Sequence, residues 1–78
     1  MLNRYEAARM PGEAKVRYKD GDYEVLVGGS HVRCAVTGAS IAVDDIRYWS
    51  VARQEAYVDA PASFEAEKRA GALPIQSR

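Results

Sequence analysis

From Ala14 onward the chain alternates. Ala14, Val16 and Tyr18 fall on one side, and Lys15, Arg17 and Lys19 on the other, the period-two pattern of a half-buried strand. Asp20-Gly21 follows, a pair that favours the two-residue hairpin turn in which both central residues need positive φ. The alternation then resumes with Tyr23, Val25 and Val27. Folding the chain at Asp20-Gly21 predicts that Tyr18 meets Tyr23, Val16 meets Val25 and Ala14 meets Val27 on the apolar face. On the polar face Arg17 meets Glu24 and Lys19 meets Asp22. Both sets are favourable cross-strand pairs, and a one-residue slip would ruin both faces.

Gly28-Gly29-Ser30 ends this hairpin, and His31 to Val36 reads as a third strand with Val32, Cys34 and Val36 on its apolar face. An even loop, or a bulge that restores parity, would set those residues opposite Val25 and Tyr23. Thr37-Gly38-Ala39-Ser40 reads as a turn, Ile41 and Val43 as a short extended piece, and Ile46 to Trp49 as another strand, with Ile46 and Tyr48 inward and Arg47 and Trp49 outward. Ser50 suits a helix N-cap, so Val51 to Tyr57 is expected to be helical, with Ala52, Ala56 and Tyr57 inward. Pro61 opens a second helical stretch, Ala62 to Ala70, with Phe64 as its large apolar anchor, Glu65 and Arg69 as an i,i+4 pair, and Gly71 as its stop. At the front, Asn3 and Glu6 form a capping-box pattern before Pro11-Gly12; residues 1–12 read equally as a short helix or as a loose arm. Residues 72–78 read as a loose tail. The fold class is α+β: an antiparallel hairpin extended to three strands, a short further β element and C-terminal helical segments, in one domain.

Composition narrows the chemistry. The chain has 78 residues, 47% of them hydrophobic and 28% charged, the balance of a globular domain. A domain this size gains only a few kcal/mol from its core and often needs a staple. Its single cysteine, Cys34, excludes an intrachain disulfide, and its single histidine, His31, excludes a His-rich zinc site. Eleven basic and eleven acidic residues leave no net charge, so long-range attraction for nucleic acid or anionic lipid is weak. No apolar run approaches the ~20 residues of a membrane span, and the first twelve residues carry no signal-peptide core. With a lone free thiol, this points to the cytoplasm.

Cys34 and His31 would make a nucleophile and base, but residues three apart on a strand point to opposite faces. A buried small hydrophobe is the better reading of Cys34. Asp44-Asp45, with Glu55 and Asp59 nearby, suggest carboxylate chemistry less than they suggest turns. Gly28-Gly29 lacks the Lys-Ser or Lys-Thr of a phosphate loop. No catalytic set, metal site or cofactor is expected. The best interaction surface is Arg33, Arg47, Trp49 and Arg53, since Trp, Tyr and Arg are what interfaces favour. The second candidate is the basic strand face Lys15, Arg17 and Lys19, which would suit single-stranded nucleic acid.

Two resemblances add to this reading. Cys34-Ala-Val-Thr-Gly38, Ile41 and Arg47-Tyr-Trp-Ser-Val-Ala-Arg-Gln-Glu-Ala-Tyr57 resemble a family of small bacterial proteins known as domain-of-unknown-function family 2093, a label that implies no activity, cofactor or partner. More distantly, Cys34-Ala-Val-Thr37-Gly38 is similar to the Cys-x2-Cys-Gly knuckle of treble-clef zinc domains of the YHS and TRASH type. Tyr48 to Arg53 then resembles their strand-to-helix corner, and Tyr57-x3-Pro61-x2-Phe64 their closing pattern. Under that resemblance Thr37, Trp49 and Arg53 stand where ligand cysteines would. One thiolate cannot hold structural zinc, which takes four ligands. The implied protein is a metal-free, treble-clef-like module, with a partly buried Trp49 helping to replace the ion. The expected function is a small binding or structural module acting through an unidentified protein partner or a second copy of itself. Single-stranded nucleic-acid binding is the alternative, and a Cys34 thiol enzyme or sensor the third reading.

Overall fold

The computed structural model describes residues 3–71; the tail expected over 72–78 lies outside the described residues. The architecture is α+β: three antiparallel two-stranded sheets and a C-terminal helix. Helix α1 is Arg4–Ala7; strands are β1 Lys15–Lys19, β2 Asp22–Val27, β3 His31–Arg33, β4 Ser40–Ala42, β5 Tyr48–Ser50 and β6 Glu55–Tyr57; helix α2 is Ala60–Arg69. One turn of 3-10 helix, Val43–Asp45, follows β4.

The β1–β2 hairpin has the expected register for Val16↔Val25, Arg17↔Glu24, Tyr18↔Tyr23 and Lys19↔Asp22. Gly21 takes φ +75° in its turn but Asp20 keeps a negative φ, so the turn is not the expected one with both central residues at positive φ. A bulge between Lys15 and Val16 then sets Lys15, rather than Ala14, opposite Val27. The extra residue flips the faces beyond it, so Leu26 and Val27 are exposed. Ala14 is still buried, but its N–H goes to the His31 carbonyl at 2.7 Å.

The third strand does not extend the hairpin. β3 is shorter than the expected span to Val36 and pairs with β4, Val32 opposite Ile41. Glu13 bridges to His31 in parallel, and Cys34 to Ala56. The sheets are therefore stitched edge to edge by single bridges, with Val32, Cys34 and Ile41 directed into one core.

The expected helix over Val51–Tyr57 is a turn followed by β6. Ser50 does act as a cap: its Oγ accepts the Arg53 N–H at 3.1 Å. The helix does not propagate because Gln54 takes φ 54°, a left-handed conformation that ends the turn. Ala52 is exposed, while Ala56 and Tyr57 are buried. The Gln54 side chain then closes the outer edge of β1, accepting the Tyr18 N–H at 2.9 Å and donating to the Tyr18 carbonyl at 2.7 Å.

In α2, Asp59 caps the Ala62 N–H at 2.9 Å. The buried stripe is Ala62 and Ala66. Phe64 is 58% exposed, so the expected anchor lies on the outer face and small side chains set a close approach instead. At the front, the Asn3 side chain accepts the Glu6 N–H at 2.9 Å and Ala7 is completely buried; the arm-or-helix ambiguity resolves to a capped helical turn over residues 4–7.

Candidate interaction surface

The four residues of the first candidate surface separate into two pairs. Trp49 and Arg53 hold the fold together. Trp49 is half-buried; it stacks on Tyr18 with centroids 6.1 Å apart and meets Tyr23 edge-on at 5.4 Å. Its indole Nε1–H donates to the Lys19 carbonyl at 2.9 Å. The expectation that Tyr48 points inward and Trp49 outward is therefore corrected: Ile46 is buried and Tyr48 is on the surface. Arg53 donates to the Tyr57 hydroxyl at 3.0 Å and to Glu67 at 2.7 Å, with Glu55 at 3.4 Å. Those hydrogen bonds hold its guanidinium firmly protonated and tie the β5–β6 turn to α2.

Arg33 and Arg47 remain on the surface, and both adjoin β4. Arg33 sits opposite Ser40 in the β3–β4 register. Arg47 lines a groove of about 300 Å³ with Ser40, Ile41, Ala42, Asp45 and Val58. The ladder fixes what the β4 backbone offers to that groove. Cys34 N–H donates to the Ala39 carbonyl at 2.8 Å and Val43 N–H to the Ser30 carbonyl at 3.1 Å. Alternate antiparallel pairs exchange hydrogen bonds, so Ile41 bonds inward to Val32, while Ser40 and Ala42 turn their N–H and C=O groups outward. The same parity sends the His31 carbonyl away from β4, where Ala14 takes it. Among the described residues no partner reaches the outward N–H and C=O of Ser40 or the N–H of Ala42; the Ala42 C=O accepts the Asp45 N–H as the first bond of the 3-10 turn.

The other edges differ. Gln54 covers β1 at Tyr18. The outer edge of β3 is met by Ala14, and Ala35 just beyond it donates to the Ala56 carbonyl. A second cavity of about 230 Å³ lies between Ala35–Val36 and the end of α2, rimmed by Arg53, Glu55 and Arg69. Its cations already face carboxylates, Arg53 with Glu67 and Arg69 with Glu65.

The basic strand face forms as a row: Lys15, Arg17 and Lys19 are all exposed. Glu24 lies 3.7 Å from Arg17 and 3.5 Å from Lys19, so one carboxylate answers two of the three cations. Asp22, expected against Lys19, instead pairs with Arg4.

Cys34 is buried, and its Sγ accepts the Thr37 N–H at 3.4 Å. Burial pushes the thiol up, but hydrogen bonds from the Thr37 hydroxyl and the backbone of Thr37, Val58 and Val36 outweigh it and lower its pKa. Gly38, at φ +78°, follows the turn over residues 35–37. His31 lies on the other face of the strand, its Nδ1 3.0 Å from the Ser30 hydroxyl. The strand-to-helix corner of the treble-clef resemblance is absent: Trp49 lies in β5 and Arg53 in the turn that leads to β6. Among the described residues no cluster of three or more His, Cys, Asp or Glu side chains is placed to hold a metal ion. Asp44 and Asp45 lie in the 3-10 turn, Glu55 joins the Arg53 network and Asp59 caps α2, so the acidic residues do not converge. No helix among the described residues is long and apolar enough to cross a membrane.

Sequence reasoning missed Ser40, Ala42 and Val58 in the groove and Gln54 on the β1 edge. For β4 the signal was there: two small residues flank the buried Ile41, leaving the backbone accessible.

These features define a small α+β domain whose β4 edge is open at Ser40 among the described residues. A family model described as an uncharacterized protein conserved in bacteria (DUF2093) matches residues 25–66, more than half of the chain, and the chain belongs to that family. The match runs from the middle of β2 into α2 and includes the whole β4 groove. No curated protein and no solved structure matches the chain.

Proposed function

We propose that this protein is a small metal-free binding module, cytoplasmic and without catalytic chemistry of its own, that acts by pairing its β4 edge with another polypeptide. The observation that supports this is the outward N–H and C=O of Ser40 and N–H of Ala42 in a groove flanked by Arg47, Asp45 and Val58. Strand addition draws affinity from such main-chain groups and specificity from the flanking side chains. Edges left open invite pairing. The buried Cys34 fits a packing role in a reducing compartment.

Nucleic-acid binding through Lys15, Arg17 and Lys19 is the weaker reading, because Glu24 offsets the charge that would attract phosphate. The test is amide NMR of the labelled protein in buffer and in lysate of the source bacterium. Signals of Ser40, Ala42, Arg47 and Val58 should change together on moving to lysate. Unchanged groove signals, or changes centred on Lys15 to Lys19, would reject the reading.

A further inference from the structure

Resting on that reading, we infer that the β4 groove takes the carboxyl-terminal end of an extended polypeptide that lies parallel to β4 and finishes in an apolar residue. The groups still open on the β4 main chain are two donors, the Ser40 and Ala42 N–H, and one acceptor, the Ser40 C=O. The Ala42 C=O is taken by the Asp45 N–H. A strand that runs on through the groove, in either direction, brings a further N–H to that carbonyl. A chain that ends there brings none.

In the parallel register the Ser40 N–H donates to the C=O of the antepenultimate ligand residue. The N–H of the last residue donates to the Ser40 C=O, and its carboxylate accepts the Ala42 N–H. All three open groups are then satisfied. The last side chain comes level with Ile41 and on its face, where Ile41 and Val58 supply the apolar wall of the groove. Charge selects a terminal carboxylate over a terminal ammonium. Among the described residues Arg33, opposite Ser40, reaches only the Gly38 carbonyl, at 3.4 Å, and Arg47, in the groove, meets no carboxylate. Against these two guanidiniums the groove sets one acid, Asp45. Guanidinium is also the side chain best shaped to hold a carboxylate, and a backbone N–H beside it completes a carboxylate-capture site.

The test is NMR titration of the labelled protein with two pools of N-acetylated hexapeptides randomised at the last three positions, one pool ending in carboxylates and the other in carboxamides, with acetate as a control. The carboxylate pool should shift the Ser40 and Ala42 amides and the Arg47 Nε–H together. The carboxamide pool should bind at least about tenfold more weakly, the loss of one hydrogen bond to a charged group. A carboxylate pool ending in Val should bind more tightly than one ending in Asp. Arg47→Gln should remove the preference for carboxylate while melting like the parent, since Arg47 is exposed. If that variant fails to fold, the comparison of pools on wild type still decides.

An equal response to both pools, an equal response to acetate alone, equal binding of the Val and Asp pools, or no response of these signals overturns the inference. Groove signals that nevertheless change in lysate confine that failure to the carboxyl terminus and leave the binding module standing. Groove signals that change with neither peptides nor lysate overturn both.

Discussion

Gly29 sits hard against backbone. A Cβ added there would lie 2.3 Å from the Ala14 nitrogen, 2.5 Å from the Glu13 carbonyl carbon and 2.7 Å from the Ala14 Cα. Real Cβ atoms essentially never approach within 3.0 Å, and every atom met is backbone. Relief requires the 13–14 segment to move away. That segment carries the Ala14-to-His31 bond at 2.7 Å and adjoins the Ser30-to-Gly12 bond at 2.8 Å. Losing both costs about 1–3 kcal/mol, at about 0.5–1.5 kcal/mol each, and residual overpacking adds about 1–3 kcal/mol. Gly29→Ala should therefore cost about 2–6 kcal/mol, comparable with the few kcal/mol that hold a domain of this size. The control is Gly21→Ala. Gly21 has φ +75° but nothing within 4 Å of its added Cβ, so only the left-handed penalty of about 1–2 kcal/mol applies. Urea unfolding followed by circular dichroism compares them. Gly29→Ala should be largely unfolded without denaturant, and Gly21→Ala folded with a lowered midpoint. Equal stability of the two would refute the reasoning.

Trp49→Ala removes the stack on Tyr18, the edge contact with Tyr23 and the bond to the Lys19 carbonyl; it should lower stability by about 3 kcal/mol, and a variant that melts like the parent would remove Trp49 from the framework. Phe64→Ser, on the outer face of α2, should change the urea midpoint by no more than about 0.5 kcal/mol in equivalent stability; a larger loss would mean that the side chain is buried. Burial, with the nearby Tyr23 and Glu13, pushes Tyr18 from 10.0 up to about 12. The folded state thus holds the Tyr18 proton more tightly than the unfolded state does. Its contribution is complete below pH 10 and is lost as pH rises towards 12. Alkaline titration should show unfolding by circular dichroism in that window together with late phenolate absorbance, and Tyr18→Phe should hold its fold to higher pH.

The hairpin was legible because several signals agreed. Period-two alternation, Asp20-Gly21 and complementary cross-strand pairs all name one register. The bulge at Leu26 was not, because Val25, Leu26 and Val27 are all apolar and the pattern does not say which residue is extra. Phe64 misled because helix packing here depends on close approach: Ala62 and Ala66 admit the sheet, and the large side chain is left outside. Ser50 accepts the Arg53 N–H as a helix N-cap would, but Gln54 decides the segment by trading helix for two hydrogen bonds to Tyr18, a partner far away in sequence. The choice of β3 to pair with β4 rather than with β2 is likewise non-local. For the candidate surface, residue type pointed to Arg33 and Arg47, which lie exposed beside β4. It also pointed to Trp49 and Arg53, which are half-buried and tied into the fold, since aromatic–Arg groups suit a small core as well as an interface. The groove itself rests on backbone direction, which side-chain identity reveals only through the small residues Ser40 and Ala42.

The open β4 edge is tested most directly by residue-resolved amide exchange in dilute protein, at a concentration where it sediments as a monomer. Ser40 and Ala42 should exchange quickly, while Cys34 and Val43, whose N–H groups bond across the β3–β4 ladder, should be protected. Protection of Ser40 and Ala42 equal to that of Cys34 and Val43 in the monomer would mean that the chain closes this edge itself, and would contradict the account.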